Sequence, residues 1–420
     1  MANQFLNEQT YSNVMLLLLK NQLTMGRLVD GRFKNEVTDE NGLKTSIKRP
    51  PQYIAKDGAT LQKQDLISGS ASVSVTQYKN VHMGIGDLES VQSFNALLRD
   101  SNMKSAASTL AHEVNSFLAS KTLAFYGQSG TPGNVIASTQ QFNRVHTQLM
   151  RQGVPNSDLS AVLDFEDSEL IRGQLTGTNI DDVNRTALER TRIPIMSEID
   201  IFATQALPSF TSGDRVSAGT TVINGASQNV NYRAVKDVLT QTLNVDGQAA
   251  GKTFKAGETF TIAGVFQYDN RSHNVLPQLQ TFTITADAVA DGVGAAALTV
   301  SPPIVVPNTN DGVSTDANTA FGTVSAAPAD GAAVTHLEAA STSYRVRAAF
   351  HKRAIAMVSA RLQAPFNGKF SFAQDPDTGI AIRYWRGSDI ATGEHIHRWD
   401  MIFGAENVQP ALGARPWGGV

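Results

Sequence analysis

Cysteine does not occur anywhere in the 420 residues. Its absence excludes a disulfide framework, a thiol nucleophile and any cysteine-ligated zinc or iron centre. It fits an intracellular origin without excluding export. Long apolar runs are missing as well. The longest near the start is VMLLLL at 14–19, far short of the ~18 residues that a membrane-spanning helix needs. No basic residue precedes it and no small-residue cleavage pattern follows, so the reading is a soluble chain without a secretory signal. Charge is scarce: charged residues are 17% and the net charge is −3, so no global positive field draws nucleic acid. A surface so short of charge is of the kind that an assembly covers. Hydrophobic residues, at 41%, suffice for two or three folding units with cores of their own.

What is present is unevenly distributed. Residues 10–28 read as one helix ending near Gly26, with a broad apolar stripe in a polar neighbourhood. Such a helix must dock, on its own domain or on a neighbouring subunit. Between 44 and 86 the pattern turns to period two. Val73 and Val75 share one strand face, and Val81, Met83 and Ile85 another. This predicts a long two-stranded ribbon with little core, which must lie against something else. From Asp87 to Tyr126 no Pro or Gly interrupts the chain. Ala107, Leu110, Val114 and Phe117 recur on one narrow helical face. A further helix is predicted over 138–152 and a strand at SAVLDF. A short helix follows from about Asp167, and another strand lies around IDIFATQALP.

Between Ser272 and Tyr344 there is not one Lys or Arg. Phe260 with Ile262, Phe282 with Ile284 and Leu298 with Val300 repeat at period two. Turn signals separate them at Gly257, Asp269-Asn270, Asp291-Gly292 and Asp311-Gly312. The prediction is an all-β module inserted into an α+β domain, with its two ends close together and able to fold alone.

Four motifs invite a chemical reading. GQAAGKT at 247–253 falls one residue short of the phosphate-binding pattern G-x-x-x-x-G-K-[ST]. A strand pattern follows it instead of the helix whose N-terminus a phosphate requires, so it reads as a hairpin turn with Lys252 and Lys255 facing solvent. GIGDLE at 84–89 lacks a third glycine, and Asp87 reads as a helix N-cap. DFED at 164–167 gathers carboxylates that could bind a cation, but it fits a strand end running into a capped helix better. In EHIH, His395 and His397 share a strand side and could join Asp400 at a metal, yet no third ligand stands at a diagnostic spacing. Nothing here asks for catalysis, a cofactor or a metal.

Taken in order along the chain, SAASTLAHEVNSFLASKTLAFYG (105–127), KAGETFTIAGV (255–265) and the stretch from FHKRAIAMVS (350–359) to AENVQPALG (405–413) carry a resemblance. The chain resembles the Hong Kong 97 type capsid proteins of tailed bacteriophages, and within them the Lederbergvirus-like coat proteins with an inserted I-domain. The resemblance implies an N-terminal arm at 1–35, an E-loop ribbon with its flanks at 36–90 and the spine helix of a P-domain at 91–129. It further implies an A-domain beginning at 130–216, a β I-domain at 217–340 and the remaining A- and P-domain strands at 341–420. It implies a virion protein, assembled in the host bacterial cytoplasm as hexamers and pentamers of itself. Scaffolding protein, a portal and double-stranded DNA, met at the inner surface without sequence specificity, would be its partners; no membrane is involved. Met15, Leu16, Leu18 and Leu19 in the arm, with Val73 and Val75 in the ribbon, are the expected intersubunit contacts. An encapsulin-like compartment shell is the alternative within the fold, and a nucleotide-binding enzyme using Lys252 the alternative outside it. Lys252→Ala separates the last of these: nucleotide binding measured by calorimetry should be at background before and after the change, and a specific loss would overturn the shell reading.

Overall fold

The computed structural model describes residues 8–35, 43–59, 61, 63–65, 67–86, 101–176, 196–215, 221–366, 368–388 and 394–419. The chain divides into two compact units. The first comprises Met1–Ile47, Ser72–Lys121 and Ile355–Glu406, and the second Lys48–Ala71, Thr122–Ala354 and Asn407–Val420.

In the first unit a mixed helix–sheet layer is built around the fourteen-residue strand Glu394–Asn407. Strand Ala381–Ser388 pairs antiparallel with one of its edges and is itself flanked by Lys369–Gln374. The other edge takes Gln77–Gly86 in antiparallel register, from Phe403 opposite Gln77 to Glu394 opposite Gly86. The predicted ribbon is therefore not one hairpin. Ser70–Ser74 pairs with Lys44–Lys48, while Gln77–Gly86 leaves it for the longer strand. Ten residues with alternating side chains gain more from an existing sheet edge than from an isolated hairpin.

Helices Glu8–Gln22 and Ser101–Ser120 pack against each other and on one face of this sheet. Ala107, Leu110 and Val114 are buried as the periodicity predicts, and Phe117 meets Phe403 edge-on at 5.5 Å. The predicted start of this helix, including the capping reading of Asp87, lies outside the described residues. The first helix ends at Gln22, and a separate short turn of helix runs Met25–Leu28.

Besides two short two-stranded sheets, the second unit contains two larger ones. One runs Gly127–Ser129, Gly413–Pro416, Ala348–His351, Leu159–Leu163 and Ile199–Ala203 in spatial order. Helix Thr139–Arg151 covers it with Phe142, Val145 and Leu149, all without exposed surface, and is capped by Ser138, whose side chain accepts from the Gln141 N–H. The other is antiparallel throughout, in the order Val334–His336, Thr259–Asp269, Asn274–Ile284, Ala296–Ser301, Gln241–Asp246 and Val222–Ile223. Its last strand returns to its first, because the Ile223 N–H donates to Ala332 and the Val334 N–H to Thr221. The sheet thus closes into a six-stranded barrel. The period-two pairs named from sequence fill it: Phe260, Ile262, Phe282, Ile284, Leu298 and Val300 are all fully buried. At the turns, Asp269, Asp291 and Asp311 each accept from backbone N–H groups two residues on, the reason aspartate marks such positions.

The barrel enters and leaves the chain at one place. Ser209–Thr211 and Ser343–Arg345 pair antiparallel, and the Ser212 N–H donates to Thr342 at 2.9 Å. Residues 212–342 expressed alone should accordingly fold, giving a dispersed β-type NMR spectrum. Phe260→Ala should lower the module's stability by about 3–5 kcal/mol in urea titration. A collapsed spectrum for the unsubstituted module would refute its independence.

Candidate assembly surfaces and the buried junction of the insert

The phosphate-loop near miss is a turn. Gly247 and Gly251 adopt φ of 82° and 78°, a conformation that favours glycine. The backbone groups a phosphate would need are already paired: Gly251 N–H donates to Ala290, and Lys252 C=O accepts from the Ala290 N–H. Thr253 then enters a strand opposite Val289. Asp214 completes the arrangement, accepting from the Thr253 N–H at 2.8 Å and from its hydroxyl at 2.7 Å. The Thr253 hydroxyl above all holds the Asp214 carboxyl down to about 2. Lys252 reaches the same carboxylate at 3.4 Å and Lys255 pairs with Asp287 at 2.7 Å. Both lysines are ion-paired rather than simply solvent-facing.

The other motifs are also engaged internally. Asp164 pairs with Arg345 at 2.9 Å. Asp167, fully buried, accepts from the Ile136 N–H and binds Arg347. His397 is buried with its Nδ1 2.7 Å from the Tyr384 hydroxyl, whereas Asp400 faces the opposite side of the strand between Arg383 and Arg398. Histidine and aspartate therefore cannot share a metal. Among the described residues no group of His, Asp or Glu stands close enough to hold one, and no helix is long and apolar enough to cross a membrane.

Of the six expected contact residues, Met15, Leu19 and Val73 have no exposed surface left. The first helix docks on its own unit. Tyr11 stacks on Tyr384 at 5.2 Å, and Lys20 binds Asp375 at 2.9 Å. Leu16, Leu18 and Val75 are half-buried, and the helix's outward residue is Leu17, 60% exposed.

Two clusters were not visible in the sequence pattern. The first, in the second unit, joins barrel to body. Glu258 binds Arg215 at 2.5 Å and accepts from the backbone N–H groups of Gly213 and Lys255. Glu338 accepts from the Thr259 N–H at 2.8 Å and from its hydroxyl at 2.7 Å. Arg415, without exposed surface, donates to the carbonyls of Gly257 and Leu123. Burial raises both glutamates against the pull of their arginines, and it lowers Arg415 to about 10 and His336, beside Glu258, to about 3. These residues come from five separate stretches, and no local spacing betrays them.

The second cluster is the sheet face of the first unit opposite its helices. Phe370, Trp385, Arg398 and His82 form one row across four strands, and Phe372, Arg383, Asp400 and Asn80 the next. Arg398 lies over Trp385 and Tyr78, each at 5.9 Å, and Arg361 over Phe372 at 4.1 Å. The period-two spacing of Phe370 with Phe372 and of Arg383 with Trp385 was the available signal.

A family model described as P22 coat protein, gene protein 5, matches residues 1–418. The chain belongs to the P22 coat protein family. It is a major capsid protein of a tailed bacteriophage, a virion component that assembles in many copies. The match favours this over the compartment-shell alternative. Among solved structures, one from Mycobacterium phage Che8 is similar over 94% of this chain and 90% of its own, at 12% identity and a TM-score of 0.44. The capsid of Ralstonia phage GP4 is similar over 100% and 94%, at 7% identity and a TM-score of 0.45. The CUS-3 coat protein I-domain is similar over 29% of this chain and 96% of its own, at 27% identity and a TM-score of 0.21. No curated protein sequence matches the chain.

The coat protein carries a pH dependence in its first unit. Burial depresses His397 from 6.5 to about 4, helped by Arg386 and His395. Above pH 6.5 the imidazole is neutral whether the chain is folded or not, and the stability is fully present. As pH falls towards 4 the unfolded chain binds the proton first, so stability drops by about 1.4 kcal/mol per pH unit across that window. Urea unfolding of the first unit should follow this slope in the wild type and lose it in His397→Asn; an unchanged slope in the variant would contradict the assignment.

Proposed function

We propose that this coat protein is a purely structural shell subunit without enzymatic activity, forming hexamers and pentamers that close an icosahedral shell around double-stranded DNA. What carries the reading is the family match, together with the state of four chemically suggestive groups. Lys252, the DFED carboxylates Asp164 and Asp167, and His397 are each tied to a partner in the same chain. A scaffolding protein and a portal are its assembly partners, and assembly takes place in the host bacterial cytoplasm. The net charge of −3 suits a shell that holds DNA without gripping it.

In this reading 1–35 is the N-terminal arm, 36–90 the E-loop region, 91–129 the spine-helix segment and 217–340 the I-domain. The closed barrel and the pairing of its flanking strands support the last assignment. Of the six sequence-expected contacts, Leu16, Leu18 and Val75 remain available to neighbours. Met15, Leu19 and Val73 instead hold the protomer together.

Co-expression with a scaffolding protein should give closed shells by electron microscopy. Leu18→Glu should lower shell yield while leaving the circular dichroism spectrum unchanged, whereas Leu19→Glu should unfold the first unit. Only soluble monomers under every condition would refute the function.

A further inference from the structure

Large apolar side chains left in water mark surfaces that another molecule covers. On the outer sheet face of the first unit, Tyr78, Phe370 and Ile396 are 45%, 40% and 40% exposed. Phe366, in the loop before strand Lys369–Gln374, is wholly exposed. Arginines interleave these rings. Asp400, the one carboxylate in the two rows, is fully buried and already bound by Arg383 and Arg398. Arg361 has no carboxylate partner among the described residues and stacks only on Phe372. The face is thus aromatic and positively charged on a chain whose net charge is −3. Tyrosine, tryptophan and arginine in such company are the residues that dominate protein–protein binding energy.

The complementary chemistry occurs on the same chain, in the second unit. At the start of helix Phe165–Thr176, Phe165 is 55% and Leu170 38% exposed. Glu166 and Glu169, both exposed, form no ion pair with any described residue. These four side chains make one contiguous stripe on the helix, while Asp167 and Ile171 face inward and are fully buried.

We propose that the aromatic–arginine sheet face receives the 165–170 stripe of a second copy of this chain. Glu166 and Glu169 meet the guanidinium groups, and Phe165 and Leu170 cover the rings. Because face and stripe are different surfaces, every copy offers one of each. The contact is heterologous and propagates head to tail, which closes into rings when the rotation allows. The inference rests on the shell-subunit reading and names a contact that could build its hexamers and pentamers.

The absence of cysteine makes a direct test possible. Phe370→Cys combined with Leu170→Cys, treated with a bismaleimide, should give a ladder of covalent multimers from assembled shells. The same treatment of Phe370→Cys with Leu61→Cys, an exposed control on another segment, should not. Glu169→Arg and Arg361→Glu should each lower shell yield about tenfold, the effect of losing one interfacial charge pair. Combined, they should restore it, with circular dichroism confirming that all variants fold. Shells that form without the ladder, a ladder through Leu61→Cys instead, or a double variant no better than the singles would each overturn this contact and leave the shell function standing. A failure of the parent chain to form shells at all would remove both.

Discussion

Everything distinctive in the second unit hangs on one buried ionic junction. The excursion over residues 212–342 can leave a sheet and return only if its ends are held together and its base is fixed. Paired strands Ser209–Thr211 and Ser343–Arg345 do the first. Arg215 with Glu258, Glu338 with Thr259, and Arg415 with the carbonyls of Gly257 and Leu123 do the second. Ion pairs taken out of water add little net stability, since desolvation offsets their attraction. Their geometry is demanding, however, and a buried guanidinium tolerates few arrangements. The junction therefore sets position: the barrel's Gly257 turn meets the body where Arg415 reaches the carbonyls of both Gly257 and Leu123. Apolar packing alone, as in the barrel interior, is non-directional and would fix the orientation less tightly.

The first unit follows a different principle. Its sheet has two unlike faces. Tyr384, His397 and Trp399 point to the covered side, beneath the helices, and form a contiguous aromatic layer with Tyr11 of the arm. The other side carries the arginines and rings. Along strand Glu394–Asn407 the alternation is strict enough that His397 and Asp400, three residues apart, fall on opposite sides. One group is a buried imidazole, the other a buried carboxylate clamped by two arginines. The arm residues Met15 and Leu19 have no exposed surface, which explains why they serve the protomer first.

Local pattern made much of this legible. Barrel strands announced themselves through Phe260, Ile262, Phe282 and Ile284, because a strand half-buried in a closed sheet must alternate. The long helix did so through Ala107, Leu110 and Val114. Pairing partners were not legible. Nothing in QYKNVHMGIG says that it joins residues more than three hundred positions later rather than its neighbour at 70–74, since register is decided by whichever edge is free. The buried charges were hidden for the same reason. Glu258 looks like an ordinary hairpin residue, Arg415 like a tail arginine, and only the fold brings them to one place. The two lysines of the near-miss loop were read as solvent-facing because their partners, Asp214 and Asp287, lie more than thirty residues away.

That loop shows what separates a binding motif from its letters. A phosphate site needs backbone N–H groups that have no partner until the anion arrives, and a helix end to concentrate positive potential on it. In this chain Gly251 and Thr253 already donate, to Ala290 and to Asp214. An anion entering would have to displace a carboxylate that the Thr253 hydroxyl holds ionised down to about pH 2. The same accounting applies to Asp164 and Asp167 of DFED, which Arg345 and Arg347 occupy, and to His397, where Tyr384 occupies a ring nitrogen. Groups so engaged cannot take up a substrate without breaking the fold that positions them. The aromatic–arginine face differs in kind. Tyr78 and Phe370 keep 45% and 40% of their surface in water, so the face can accept a partner while the fold beneath stays intact.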